Sequence, residues 1–242
     1  MIRRAIASDF PIAVDDERAI RIDSLMRAYG ANAPFVRFYT DDCGSMMSLM
    51  DGAAILYCCE NAEEWAVFIS MNPEIRHVHC DAAFKTALLS VGDWQSKEGV
   101  VLKYEGDTDR VVDGICENPN LLNVHALLCT CFEEMAPLNA WYPDVSHRLR
   151  HNCGKIAAIF DGDVVVSTAM TVAETDTAAL LGQVATHSNF RGRGYAQSCI
   201  NSLISRCKGK RLYILPMTEY ARSLYENMGF VPEGDWAELQ RI

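Results

Sequence analysis

Apolar positions in this chain recur in two periods. Across residues 13–30, Ala19, Ile20, Ile22, Leu25 and Met26 stand at helical spacing among charged neighbours, and the run stops at Gly30, which predicts an amphipathic helix. Residues 34–39 (PFVRFY) read as an extended segment and 53–59 (AAILYCC) as a buried strand; 63–71 and 82–91 read as helices and 100–104 (VVLKY) as another strand. After a stretch rich in Asp, Glu, Gly and Pro at 105–119, helical spacing returns at 121–132, and a second helix is predicted over 145–150 with Asp144 as its N-cap.

Residues 156–160 and 164–173 flank Asp161-Gly162-Asp163, a hairpin signal, and 177–186 supplies a third strand. A helix follows, with Ala196, Cys199, Ile200, Leu203 and Ile204 on one face, and ends at Lys208-Gly209-Lys210. The short apolar run 211–215 is then expected to lie parallel to 177–186, because the intervening helix makes a crossover. A helix at 218–227 and strands at 230–231 and 236–239 complete the pattern. The expected fold is mixed α/β (α+β), with one domain over residues 1–115 and a second over 116–242.

The densest chemistry lies between the third strand and its helix, where the strand runs into Arg191-Gly192-Arg193-Gly194-Tyr195-Ala196. Glycines let the chain turn tightly and let a ligand approach the main chain. The first turn of a helix also presents N–H groups without intrahelical partners. With the positive end of the helix dipole and two guanidinium groups beside them, these donors suit a pyrophosphate. A Walker loop would need GxxxxGK[ST] and a dinucleotide loop GxGxxG; Gln197 stands where the latter needs glycine.

Arg191-x-x-Gly194-x-Ala196 resembles the [QR]xxGx[GA] signature of the GNAT superfamily, the acyl-CoA-dependent N-acyltransferases. Val184-Ala185-Thr186 resembles the family strand whose main chain meets the acyl group, and Ala221 to Phe230 (ARSLYENMGF) resembles its A..LYE..GF segment. The resemblance covers about residues 120–242. It implies a C-terminal GNAT-like mixed sheet flanked by helices, with Val184, Ala185 and Thr186 beside the pantetheine arm and thioester of acetyl-CoA. It places the pyrophosphate on Arg191, Gly192, Arg193, Gly194, Tyr195 and Ala196, and makes Tyr225 the general acid. Thr218 departs from the family, which often has asparagine there. For the N-terminal half two readings stay open: a degenerate GNAT-like unit or an unrelated mixed α/β domain.

His187, His147 and Asp144 are candidates for the base, beside water alone. The acceptor is expected to be a small-molecule amine or a protein amino group, and acetyl-CoA a co-substrate. The rival is an acyl-CoA-binding sensor that performs no chemistry.

Composition narrows the rest. Among 242 residues, half are apolar and 22% charged, as in a packed globular protein. The net charge is −10: residues 1–120 hold 20 Asp and Glu against 11 Lys and Arg, and residues 121–242 hold 12 against 11. That acidity argues against nucleic acid as a partner. No apolar run reaches the 18 or so residues of a membrane span, so no membrane partner is expected. Asp9 and Asp15 precede any sustained apolar stretch, so no secretory signal is read and a cytoplasmic location is expected. The ten cysteines then read as reduced, buried small hydrophobes. No CxxC pair is present, so no metal site is expected. The sequence leaves a homodimer open.

Overall fold

The computed structural model describes residues 1–12, 16–109 and 112–242. Positions 13–15, where the first helix was expected to begin and where Asp15 stands, and positions 110–111 in the Asp/Gly-rich stretch lie outside the described residues. The chain divides into two compact units: Met1–Leu102 with Pro216–Glu219 and Pro232–Ile242, and Lys103–Leu215 with Tyr220–Val231.

The first unit runs β1 (Arg3–Arg4), α1 (Glu17–Tyr29), β2 (Val36–Thr40), β3 (Met46–Met50), β4 (Ala53–Tyr57), α2 (Ala62–Ser70), β5 (His77–Cys80), α3 (Ala82–Leu89) and β6 (Trp94–Tyr104). Gly30 closes α1 at φ 74°, a conformation that favours glycine. β2, β3 and β4 form an antiparallel meander, after which α2 crosses over to place β5 parallel to β4. The last strand of the chain, β11 (Phe230–Arg241), pairs antiparallel with β5, so the order here is β1-β2-β3-β4-β5-β11-β6. Trp65, Ile69, Phe84 and Leu88 of α2 and α3 fill the core under this sheet.

The second unit repeats that plan. α4 (Leu121–Cys131) and α5 (Leu138–Arg150) precede the meander β7 (Ile156–Asp161), β8 (Val164–Glu174) and β9 (Ala178–Thr186). α6 (Tyr195–Arg206) crosses over to β10 (Arg211–Ile214), which is parallel to β9 as expected, and α7 (Glu219–Asn227) follows. The hairpin turns at Gly162 with φ 59°. The two units thus share one order of elements: an antiparallel three-stranded meander, a crossover helix and a strand parallel to the meander's last.

Three expectations need correction. Asp144 is not an N-cap: α5 begins seven residues earlier than expected, behind Pro137, and carries Pro143 inside it. Burial of Trp141 and Val145 on one face, with Leu149 packed beside them, outweighs the hydrogen bond that a proline removes. The segments at 230–231 and 236–239 are one strand, β11. All ten cysteines are free, but only Cys80, Cys153, Cys199 and Cys207 are buried; Cys43, Cys59 and Cys129 are exposed.

Candidate active site

β9 departs from regular pairing on both of its edges. Its parallel pairing with β10 runs from Ala178↔Arg211 to Leu181↔Ile214 and stops, while β9 continues to Thr186. Beyond Leu181 its β10-side edge therefore has no partner in β10. On the other side the register with β8 jumps from Thr168↔Ala185 to Met170↔Gly182, so β9 carries an extra residue there. The jump falls at Gln183, held at φ 48°, a left-handed conformation in which a β-strand glutamine is strained. The Gln183 side chain is fixed in turn by Trp141 of α5, whose Nε1 donates to its Oε1 at 3.1 Å. The bulge turns the backbone at Val184 out of the regular ladder.

The end of β9 is held just as firmly. Ser167 Oγ donates to the Ala185 carbonyl at 3.1 Å and lies 2.9 Å from Thr186 Oγ1. Thr186 O accepts from Arg191 Nε at 3.2 Å, which ties the strand to the loop that follows. Gly192 and Gly194 sit at φ 75° and 79°. A Cβ at Gly192 would meet nothing within 4 Å, so its glycine answers to backbone conformation and leaves open space above the loop. Gly194 is the N-cap of α6, whose first bond from this residue is Ser198 N–H to Gly194 O at 3.0 Å. The amides of Tyr195, Ala196 and Gln197 precede that bond and so have no partner one turn back. Arg191 and Arg193 are exposed, the latter stacked over Phe190 at 5.0 Å. Open space, two left-handed glycines, helix-start amides and two cations fit a pyrophosphate.

The equivalent junction of the first unit shares the backbone and not the chemistry. There the N-cap of α2 is Asn61, also left-handed at φ 58°, but Glu63 and Glu64 occupy the first turn and Glu60 precedes it. Three carboxylates at a helix start repel an anion. The second unit alone keeps the cationic loop.

Tyr225 is the buried residue of α7, 6% exposed, with its ring 6.1 Å from Phe230, which packs 5.0 Å from Tyr104. Burial pushes its phenol up to about 12, so it holds its proton throughout the neutral range. Of the candidate bases, His187 caps the short turn at Ser188–Phe190, its Nδ1 accepting from the Asn189 amide at 3.3 Å. His147 stacks on His151 at 4.0 Å in the last turn of α5. Asp144 accepts from Arg148 Nε at 2.8 Å, and both line a cavity of about 210 Å³ that reaches Gln183. Gln183 and Trp141 did not emerge from sequence reasoning; nothing in LLGQVAT marks the residue that takes the left-handed turn. The Asp144/Arg148 spacing of four on a helix was a readable signal.

Residues 121–230 match the family model described as the acetyltransferase (GNAT) family. That match places a GNAT-family domain at residues 121–230, almost all of it within the second unit. Among solved structures, a GNAT-family structure from Novosphingobium aromaticivorans is similar at TM-score 0.59 and 16% identity, over 81% of this chain and 88% of that one. A GCN5-related N-acetyltransferase from Kribbella flavida gives 0.59 and 14%, over 81% and 86%. A tandem GNAT protein from the clavulanic acid biosynthesis pathway gives 0.58 and 11%, over 99% and 97%. At these identities the likeness is one of fold, and it spans both units. No curated protein matches the chain in sequence. Among the described residues no helix is long and apolar enough to cross a membrane.

Proposed function

We propose that the protein transfers an acetyl group from acetyl-CoA to an amine nitrogen by direct attack. The observation that carries this reading is the release of β9 from β10 after Leu181, followed by the bulge at Gln183 and the glycine loop of Arg191–Ala196. An unpaired strand edge offers main-chain donors and acceptors to an extended amide-bearing arm, and the loop beyond it offers amides and guanidiniums to a diphosphate.

Acetyl-CoA, when bound, supplies the acyl group and a thiol leaving group. The loop from Arg191 to Ala196 holds the diphosphate end, and Val184, Ala185 and Thr186 hold the arm. The Val184 N–H, turned out of the ladder by the bulge, stabilises negative charge as it develops on the acyl oxygen. Tyr225 keeps a proton at its Oη for the departing sulfur; the burial that raises the phenol raises a buried thiol in the same sense. Asp144 or water takes the proton that the amine gives up.

The test is thiol release from acetyl-CoA across a panel of amines, for the wild type and for Tyr225→Phe. Amine-dependent release that falls in the variant, with acetyl-CoA still bound, supports the reading. Binding without release for any amine would leave the sensor reading in its place.

A further inference from the structure

The cavity beside Gln183 has a defined size and charge. It is lined by one face of α5 (Asp144, Arg148), by Thr171 and Val172 of β8, by Gly154 and by Gln183 itself, and opens on one side. At about 210 Å³ it falls below the roughly 300–1,000 Å³ of pockets for drug-sized ligands, which suits a molecule the size of an amino acid. Its charged lining is one carboxylate and one guanidinium, paired at 2.8 Å and with side chains 30% and 14% exposed. Arg148 also donates from NH1 to the Val172 carbonyl at 2.9 Å. These two bonds fix the plane of the guanidinium and use two of its five N–H donors.

A lining of zero net charge gives a simple cation no advantage: what Asp144 attracts, Arg148 repels. A molecule that carries both an amine and an anionic group meets a matched pair. We propose, resting on the acetyl-transfer reading above, that the acceptor is a small primary amine bearing its own anionic group, of the α-amino acid type. Arg148 is the specificity-determining residue that receives the anionic group, and the nitrogen faces the Asp144 and Gln183 side.

The experiment measures acetyl transfer to matched pairs that differ only in the carboxylate, such as leucine with 3-methylbutylamine and lysine with 1,5-diaminopentane. The carboxylate-bearing member of each pair is expected to have a kcat/KM at least about 10-fold higher, the scale of one charge-assisted hydrogen bond. Arg148→Gln should abolish that difference through KM, with acetyl-CoA affinity kept. Gly154→Val supplies a second, steric readout. Gly154 lines the cavity and is not left-handed, and a Cβ there meets Thr171 O at 3.5 Å and Arg148 Cβ at 3.7 Å, ordinary contacts, so a side chain can be added at this wall. Acceptor KM should rise about 10-fold or more while acetyl-CoA affinity holds. A wild type that prefers the decarboxylated amines, or a Gly154→Val protein with unchanged acceptor KM, would overturn the proposal and leave acetyl transfer standing. Loss of acetyl-CoA binding altogether would overturn both.

Discussion

The indole of Trp141 on α5 and the amide side chain of Gln183 in the bulge of β9 are joined by one hydrogen bond of 3.1 Å. Through it the helix that walls the cavity holds the strand irregularity that takes Gln183 and Val184 out of register with β8. Trp141 is 5% exposed, so its N–H has little recourse to water if the bond is lost. Trp141→Phe is expected to cost about 1 kcal/mol of stability and to lower kcat more than acetyl-CoA affinity, as measured by chemical denaturation and steady-state kinetics.

Gln183 itself separates strain from bonding. Gln183→Ala keeps a side chain at φ 48° and removes the bond, whereas Gln183→Gly removes the bond and relieves the strain. The glycine variant should be the more stable of the two by about 1 kcal/mol, with both reduced in activity. Equal denaturation midpoints would mean that the left-handed turn is not retained in solution.

Tyr225→Phe keeps the ring against Phe230 and removes only the hydroxyl. Stability should change by less than about 1 kcal/mol, while kcat falls by about 100-fold or more, the range of a general acid. Because burial pushes the Tyr225 phenol up to about 12, the wild-type rate should show no descending limb from this group below about pH 11. A pH–rate profile of the two proteins checks both.

In the first unit, Glu17 is 2% exposed and accepts from Arg21 Nε at 2.8 Å and pairs with His79, whose other ring nitrogen faces Glu238 at 3.6 Å. Burial alone would raise its carboxyl; Arg21 and His79 overcome that and hold it down, at about 2 against an ordinary 4.5. A depressed carboxylate stabilises the fold above its unfolded value and loses that contribution as pH falls towards its folded one. Melting temperature should therefore drop as pH falls from about 5 to 3, and the drop should be shallower in Glu17→Gln, already destabilised at pH 7.

The crossover, the parallel strand β10 and the loop Arg191–Ala196 were legible in the sequence because each rests on local chemistry: apolar runs, glycines, a helix face. β3 escaped because MMSLM is buried at four of its five positions and so does not alternate, and β5 because HVHC is four residues with two histidines in it. α5 was cut short by taking Asp144 as its N-cap, although Trp141 ahead of it is helical and packs into the core. The bulge was invisible because left-handed geometry at a glutamine is imposed by its neighbours in the sheet and by Trp141, none of which lies beside it in sequence.

Acetyl-CoA titrated into the purified protein by isothermal calorimetry tests the central claim most directly. The cationic glycine loop occurs in the second unit, while the first unit has Glu60, Glu63 and Glu64 at the matching helix start. One site per chain is expected, weakened at least about 10-fold by Gly194→Val, which forces a β-branched side chain to φ 79°. No heat of binding with acetyl-CoA or CoA, or an affinity indifferent to Gly194→Val, would contradict the account.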